Sequence, residues 1–468
     1  MKRALLAALL ALLASAGASD PGKEDSQTFT VEQARVLARQ ALYAGRFDLA
    51  RDVATVLVRA NPEDAYAYGI LAAAQSRLKA HKQARSAARL SYKHSETPAQ
   101  KFGAARTAAS IAFQQERPTA SQIWLRLAAT HAETPRQDEV LSRDYSNVRR
   151  ANPLRFNINL SVAPSNNVNN GTDNVLEVNN GIPTGSGINA SSRALDGTVG
   201  TLDVQLRYRL AQSQKSRTTA SGRLYVRRVK LSAESERELQ EDAASHLDTP
   251  LTNSNFDETY ADVGLEHTFA LGAPGNTLSL GTTVGAKWFV DDRLYDSAKL
   301  TLSRGLKLSD ATRLQLHGGF ERRFYTAGSF KDRDIVTLGG TVSHKLKGGD
   351  KLSVGLTVQE QNGDFTNSDY MTASIRANYS FGKQLGPVRI STGLTFGYTD
   401  YDDYRLFRSI DGGRQDESLY GDVSLFFADY DFAGFAPNLR IRTGRRSSNV
   451  NRFEIDETTI TLGIQSKF

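Results

Sequence analysis

The sequence predicts α and β structure in separate domains: a stack of α-helical repeats, then a 14-stranded antiparallel transmembrane β-barrel. Three observations carry that expectation. Apolar residues fall at helical spacing from Val31 to about Ala132. Past Asn152-Pro153 they alternate with polar residues as far as the last position. Between the alternating segments, long and short connections take turns.

Composition removes several competitors. Charged residues make up 23% of the 468 positions and hydrophobic ones 40%, and no run after residue 18 supplies the roughly 18 uninterrupted apolar residues of a membrane helix. Zero cysteine excludes a disulfide framework, thiolate zinc sites, thiol catalysis and a lipid-modified N-terminal cysteine. The formal charge of +7 falls to +5 without Lys2 and Arg3, too mild to imply a nucleic-acid partner.

Residues 1–18 read as an export signal peptide. Lys2 and Arg3 form the positive start, Ala4 to Leu13 the apolar run, and Ala14-Ser15-Ala16 or Ala16-Gly17-Ala18 the small-residue cleavage site. An N-terminal anchor would need a longer run. The expected domains are therefore the signal at 1–18, helical repeats at 19–150 and the barrel at 151–468.

The helical half repeats. Leu37, Ala38, Ala41, Gly45, Phe47, Ala50, Ala54, Leu57 and Pro62 stand at tetratricopeptide spacing, and adding 34 residues reaches Leu71, Ala72, Ala84 and Ala88, with Pro98 two places late. A weaker third copy holds Ala108, Ala120, Trp124 and Leu127 and ends near Pro135. Small residues let paired helices approach, and each proline is expected to end the second helix of its pair. Three such units form a tetratricopeptide-like α-solenoid of about six helices; an ordinary Ala-rich bundle is the plainer alternative. Between Val31 and Arg150 there are 19 Lys+Arg against 11 Asp+Glu. Solvated faces account for most of that excess. The sharper reading is a basic groove for an extended acidic segment of a partner, with Arg85, Arg89 and Lys93 in line on one helix.

The alternating half divides into strands at about 154–162, 198–210, 217–231, 257–271, 277–290, 294–308, 311–324, 333–346, 351–362, 370–381, 388–401, 416–430, 436–446 and 453–468. Each is long enough for the roughly 9–11 residues of a tilted crossing. Their polar face carries Arg313, Glu321, Arg323, Lys345, Arg376, Arg389, Arg440 and Arg442, and Glu360 is expected to face the lumen with them. A sheet apolar on one side and charged on the other, with no helix to cover it, needs lipid outside and water inside. A soluble sandwich leaves those charges unexplained. Connections 163–197, 232–256 and 402–415 are long, whereas 309–310 and 347–350 are tight, which puts the tight turns and both chain ends in the periplasm. Phe468, at the end of a last strand bearing Ile460, Leu462 and Ile464, resembles the signal read by the barrel-insertion machinery.

Catalytic constellations are poor. The seven histidines have no metal-ligand spacing, and no serine stands in the glycine-framed motif of a nucleophile. His267 and His344 fall on the apolar face without a partner at a fixed offset, and His317 falls on the polar one. The run Asp400-Tyr401-Asp402-Asp403-Tyr404 lacks the Gly and terminal Glu of a calcium loop. No enzyme activity, metal or cofactor is expected.

The most distinctive local sequence is Asn152-Pro153 followed by Pro164-Ser165-Asn166-Asn167-Val168-Asn169. Asparagines accept left-handed backbone and bond their own main chain, which suits a tight strand exit. Taken with the signal, the repeats and the strands, this element resembles the surface lipoprotein assembly modulator (modifier) family over essentially all of the mature chain. The resemblance implies an outer-membrane translocator with its helical domain in the periplasm. It would carry a client lipoprotein, or a secreted haem- or metal-uptake protein, to the cell surface, and its direct partners would be that client, the insertion machinery and outer-membrane lipid. Asn152, Pro153, Pro164, Ser165, Asn166, Asn167 and Asn169 would be its structural or gating motif. The alternative is a polysaccharide export porin, which also couples such repeats to a barrel. That reading needs lumen charges of one sign, and the sequence mixes Arg313, Arg376 and Arg440 with Glu321 and Glu360.

Overall fold

The structure is a computed structural model describing residues 29–246, 249–290, 292–326, 331–406 and 408–466. The signal at 1–18 and Phe468 lie outside the described residues. The chain forms two compact units, one ending at Arg117 and one running from Pro118 to Phe468.

The first unit holds α1 (Val31–Tyr43), α2 (Phe47–Ala60), α3 (Ala65–Arg77), α4 (His81–His94) and α5 (Pro98–Gln114). Alanine dominates their buried faces: Ala38, Ala41, Ala50, Ala54, Ala72, Ala84, Ala88 and Ala108 are all buried, as the spacing requires, beside Leu57, Leu71 and Ile111. The helix starts are written into the sequence. Thr30 with Gln33 and Thr97 with Gln100 form capping boxes, and the Asp64 carboxylate accepts from the amides of Tyr66 and Ala67.

The prolines act differently from expectation. Pro98 and Pro135 stand in the first turn of the helices that follow, and Pro118 is likewise the first residue of its helix. There the missing N–H removes no bond and the fixed φ favours the first turn, so these prolines start helices instead of ending them. For the same reason helical structure continues past Pro135.

The turns inside successive pairs share one feature. Gly45, Lys79 and Glu116 all have positive φ, at 77°, 62° and 56°. Glycine adopts that conformation freely, whereas Lys79 and Glu116 carry a Cβ crowded against the backbone.

The second unit begins with α6 (Pro118–Ala129) and α7 (Pro135–Ala151). The barrel wall follows as β1 (Leu154–Ser165), β4 (Gly197–Gln212), β5 (Ser216–Leu231), β6 (Glu258–Ala270), β7 (Thr277–Phe289), β8 (Asp292–Lys307) and β9 (Thr312–Tyr325). It continues with β10 (Arg333–Lys345), β11 (Lys351–Gly363), β12 (Tyr370–Ser380), β13 (Arg389–Tyr401), β14 (Arg414–Phe426), β15 (Phe435–Ser448) and β16 (Ile455–Ser466). Neighbours pair antiparallel in chain order, and β1 meets both β4 and β16 to close the wall. Two elements lie outside it: a hairpin of β2 (Leu176–Asn179) and β3 (Ile182–Gly187) in the first loop, and α8 (Ala233–His246) between β5 and β6.

No helix among the described residues is long and apolar enough to cross a membrane. The faces of the strands separate cleanly. Phe156, Ile158, Leu160 and Val162 are exposed on the outside of β1, and Arg155, Asn157, Asn159 and Ser161 alternate with them on the inside. One expectation fails here. Glu360 pairs with Val336 and Met371, both exposed apolar residues, so it stands on the outer face near the end of β11 and not in the lumen.

Substituting glycine for Lys79 should stabilise the helical unit. Relief of about 1–2 kcal/mol of left-handed strain, less about 0.5–1 kcal/mol of added chain entropy, leaves roughly 0.5–1 kcal/mol. The helical circular-dichroism transition of Lys79→Gly should therefore rise by about 3–6 °C. A fall would contradict the left-handed turn.

Candidate functional site

Three clusters of side chains in the second unit bear on function. The first joins the α6–α7 pair to the barrel. Asn152 ends α7 and is buried; its Nδ2 donates to Gln122 Oε1 (2.6 Å) and Thr119 Oγ1 (3.2 Å), while its Oδ1 accepts from the Leu154 amide (3.0 Å). One side chain thus ties the start of α6 to the start of β1. Pro153 keeps the residue before it out of the helical region, at φ −63° and ψ 122°, and its carbonyl accepts from Arg209 N (2.9 Å).

Opposite, Arg126 of α6 reaches the turn between β14 and β15. It donates to the carbonyls of Ala433 (3.0 Å) and Gly434 (3.2 Å), to Ser466 Oγ (2.9 Å) and to Tyr145 OH (2.9 Å). Its guanidinium lies 4.3 Å from the Phe435 ring centre and 5.1 Å from that of Tyr145. The planar fork meets carbonyls at its edge and rings on its faces, which lysine does not do. Nothing in the spacing of the repeats marks Arg126. The signal was confined to its pairing with a turn more than three hundred residues away.

The second cluster is the asparagine element, which the structure gathers into a folded first loop. Asn167 Nδ2 donates to Gly171 O (2.7 Å) and its Oδ1 accepts from Gly171 N (2.8 Å), so one side chain copies a strand pairing. Asn169 donates to the carbonyls of Ser191 (3.0 Å) and Arg193 (2.7 Å) and accepts from Leu195 N (3.0 Å). Asn166 Oδ1 accepts from Thr458 N of β16 (3.0 Å), and Ser165 Oγ from Asn167 N (3.1 Å). Pro164 pairs with Thr198 of β4 but not with β16, whose register with β1 passes from Val162 directly to Ser165. Val168 then packs with Ala190, Leu195, Val229, Leu231 and Leu239 of α8 in a small core.

The same loop is stitched to the adjacent connection between β15 and β16. Thr172 Oγ1 and Asn174 Nδ2 donate to Asn451 O (2.9 and 3.2 Å), Asn451 Nδ2 donates to Leu176 O (2.8 Å), and Asn449 Nδ2 to Asn180 Oδ1 (2.9 Å). Below it lies a cavity of about 770 Å³, lined by Asn167, Asn169 and Asn170 from the loop and by Tyr225, Arg227, Glu258, Arg442 and Glu457 from the wall.

The third cluster closes the neighbouring loops. Arg414 is buried, forks onto Asp416 at 3.0 and 2.5 Å, and stands 3.4 Å from the Phe453 ring centre with Tyr401 and Tyr404 alongside. Tyr401 and Tyr404 of the acidic run therefore serve this packing, and among the described residues no group of three or more His, Asp or Glu side chains could hold a metal.

The inner wall between these ends carries paired charge. Asp422 bridges Arg376 (2.7 Å) and Arg440 (3.0 Å), Glu321 bridges Arg323 (2.6 Å) and Lys299 (3.7 Å), and Arg223 forks onto Asp203 (both 2.9 Å). His267 and His344 meet the hydroxyls of Thr218 and Thr312 across the strand, each at 2.8 Å, His267 also packs on the Phe269 ring, and the His317 ring lies against Gly339.

In the first unit, Arg85, Arg89 and Lys93 run along α4. Arg85 donates to Gln115 Oε1 (2.7 Å), and the other two are exposed. One concavity of that unit lies between α1, α3 and α5, where Tyr43, Phe47, Arg77, Ile111 and Gln114 line a space of about 430 Å³, and another of about 560 Å³ is lined by Arg35, Arg39, Glu63, Tyr66 and His94.

Replacing Arg126 by alanine removes charged hydrogen bonds and two ring contacts, which should weaken the helix-pair docking by about 2–4 kcal/mol. Trypsin cleavage after Arg149 and Arg150 should then accelerate at least tenfold in the purified protein. An unchanged rate would show that the docking does not depend on Arg126.

The family described as "Surface lipoprotein assembly modifier" matches residues 242–468. No curated protein matches the chain. Among solved structures, an outer membrane channel from Pseudomonas putida F1 is similar at 12% identity and a TM-score of 0.32, over 66% of this chain and 94% of that one. The type III secretion translocator chaperone SycD of Yersinia enterocolitica is similar at 19% identity and 0.24, over 27% of this chain and 86% of its own. The TPR2B domain of yeast Sti1 is similar at 19% and 0.24, over 26% and 96%. From within α8 to its last strand, residues 242–468, the chain is similar to the surface lipoprotein assembly modifier family.

Proposed function

We propose that this chain is an outer-membrane translocator that delivers a lipoprotein, or a secreted haem- or metal-uptake protein, from the periplasm to the cell surface. The family match over residues 242–468 carries the reading. The closed wall with a charged, water-compatible interior supports it, because a polypeptide crossing lipid needs its peptide groups hydrated or paired throughout. The helical unit receives the client. Its concavity between α1, α3 and α5 offers exposed Tyr43 to apolar side chains, and Arg85, Arg89 and Lys93 add a basic flank for acidic ones.

In this reading the short turns and the helical unit face the periplasm, and the loop cluster around Asn167, Asn451 and Arg414 faces the outside. The asparagine element acts as the latch of the outer mouth: its side chains bond main chain at about 1 kcal/mol each, strong together and separable one at a time. Phe468 serves the insertion machinery. Nucleotide is absent from the periplasm, so folding of the client outside supplies the direction of transport.

Deleting residues 31–117 should leave a barrel that inserts and still shifts on gels after heating, because the wall satisfies its own backbone. Surface display should be lost, since a tethered client is held at an effective concentration of about millimolar and a free one is dilute. Protease shaving of intact cells, with and without the deletion, reads this out; full display by the barrel alone would favour the export-porin reading. Tags at 232–246 should be reachable from outside and tags at Ser309 or Gly348 should not. The reverse pattern would invert the topology.

A further inference from the structure

Several charges of the inner wall are paired, as at Asp203, Glu321 and Asp422, but at one end four arginines gather side by side. Arg155 of β1 and Arg207 of β4 are direct register partners, on the inner face opposite exposed Phe156 and Leu206. Arg209 lies two positions further along β4, and Arg217 of β5 joins them around a small opening bordered by Asn152, Pro153, Thr219 and Glu266. Arg209 is held by the carbonyls of Arg150 (3.3 Å) and Ala151 (2.7 Å), at the end of α7. Among the described residues, Arg155, Arg207 and Arg217 have no carboxylate within ion-pair distance, in contrast to Arg223, Arg376 and Arg440 on the same wall. All three are exposed to the lumen.

Like charges placed directly opposite each other on paired strands oppose the fold. The cluster therefore contributes nothing to holding the wall together, and it stands where the chain passes from helix to barrel. Guanidinium groups fork onto carboxylates with two parallel bonds, and a set of them spaced along adjacent strands matches carboxylates spaced along an extended chain.

We propose that Arg155, Arg207, Arg209 and Arg217 form a binding site for an extended acidic stretch of polypeptide at the helix-side mouth of the barrel. The site rests on the translocator reading, in which the traversing molecule is a protein, and it supplies the first contact inside the lumen. The middle of the wall then offers already neutralised pairs, so the acidic stretch is held at the mouth and released further in.

The test uses the purified full-length protein in detergent and a fluorescent glutamate-rich peptide of about 20 residues, with oligogalacturonate as a second probe, at about 50 and 200 mM salt. The wild type should bind the peptide more tightly at low salt. The triple variant R155Q/R207Q/R217Q should lose about tenfold or more in affinity and most of the salt dependence, and the corresponding triple Arg→Lys variant should retain much of both. Heat-shifted migration of each variant confirms the folded barrel.

Equal peptide affinity in wild type and the Gln variant overturns the site. So does tighter binding of oligogalacturonate than of peptide, which assigns the cluster to polysaccharide. Surface shaving of cells lacking the chain is scored separately. Lipoproteins lost from the surface, with peptide affinity unmoved by the Gln variant, remove the site and keep the translocator. An unchanged surface, with peptide affinity lost in the Gln variant, removes the translocator and keeps the site.

Discussion

Backbone groups inside a bilayer have no water to bond, so the sheet must close on itself, and the meeting of β1 with β16 is the contact on which everything else rests. Its two sides are unequal. β1 pairs with β4 from Leu154 to Ser165 without a break, whereas its register with β16 is Leu160 to Val162 and then Ser165. Pro164 lacks the N–H that would continue the seam. The bond of Asn166 to Thr458 takes up pairing just beyond, so the asparagine element both finishes the seam and begins the folded loop.

Both ends of the wall are secured by the same chemistry. At one end Arg126 sits between Tyr145 and Phe435 and binds the carbonyls of a turn; at the other Arg414 sits among Tyr401, Tyr404 and Phe453 and forks onto Asp416. In each case a guanidinium gathers segments distant in sequence, with its donors directed at oxygen and its faces against rings. Asparagine amides do the finer fastening, since each both donates and accepts as a peptide group does. The lumen is thus bounded by a docked helix pair on one side and a stitched loop on the other.

Period-two alternation made the wall legible to within a few residues at most strand ends, because lipid outside and water inside impose the pattern on every strand. The alanine spacing likewise exposed the helix pairs. What escaped was whatever depends on a distant partner. The hairpin β2–β3 and α8 lie in polar loops, where their order comes from bonds to Asn449 and Asn451 and from Leu239 packing on Val168. Glu360 shares the parity of Leu352, Val354, Leu356 and Val358, so alternation itself puts it on the outer face; only its charge suggested the lumen. The unpaired arginines were equally hidden, since a sequence shows each charge but not which of them has a carboxylate opposite. The prolines were misread for a local reason: the residue that interrupts a helix is also well suited to its first turn.

The account stands on the client passing along the inner face of a closed wall, and adjacent positions of β4 separate inside from outside. Gln205 pairs with Asn157 and Arg223 on the lumen side, and Leu206 pairs with Phe156 on the exposed apolar side. A photo-crosslinking residue at each, in cells transporting client, tests that passage most directly. Crosslinks to client from position 205 and none from 206 are the predicted result; crosslinks from 206 alone would contradict it.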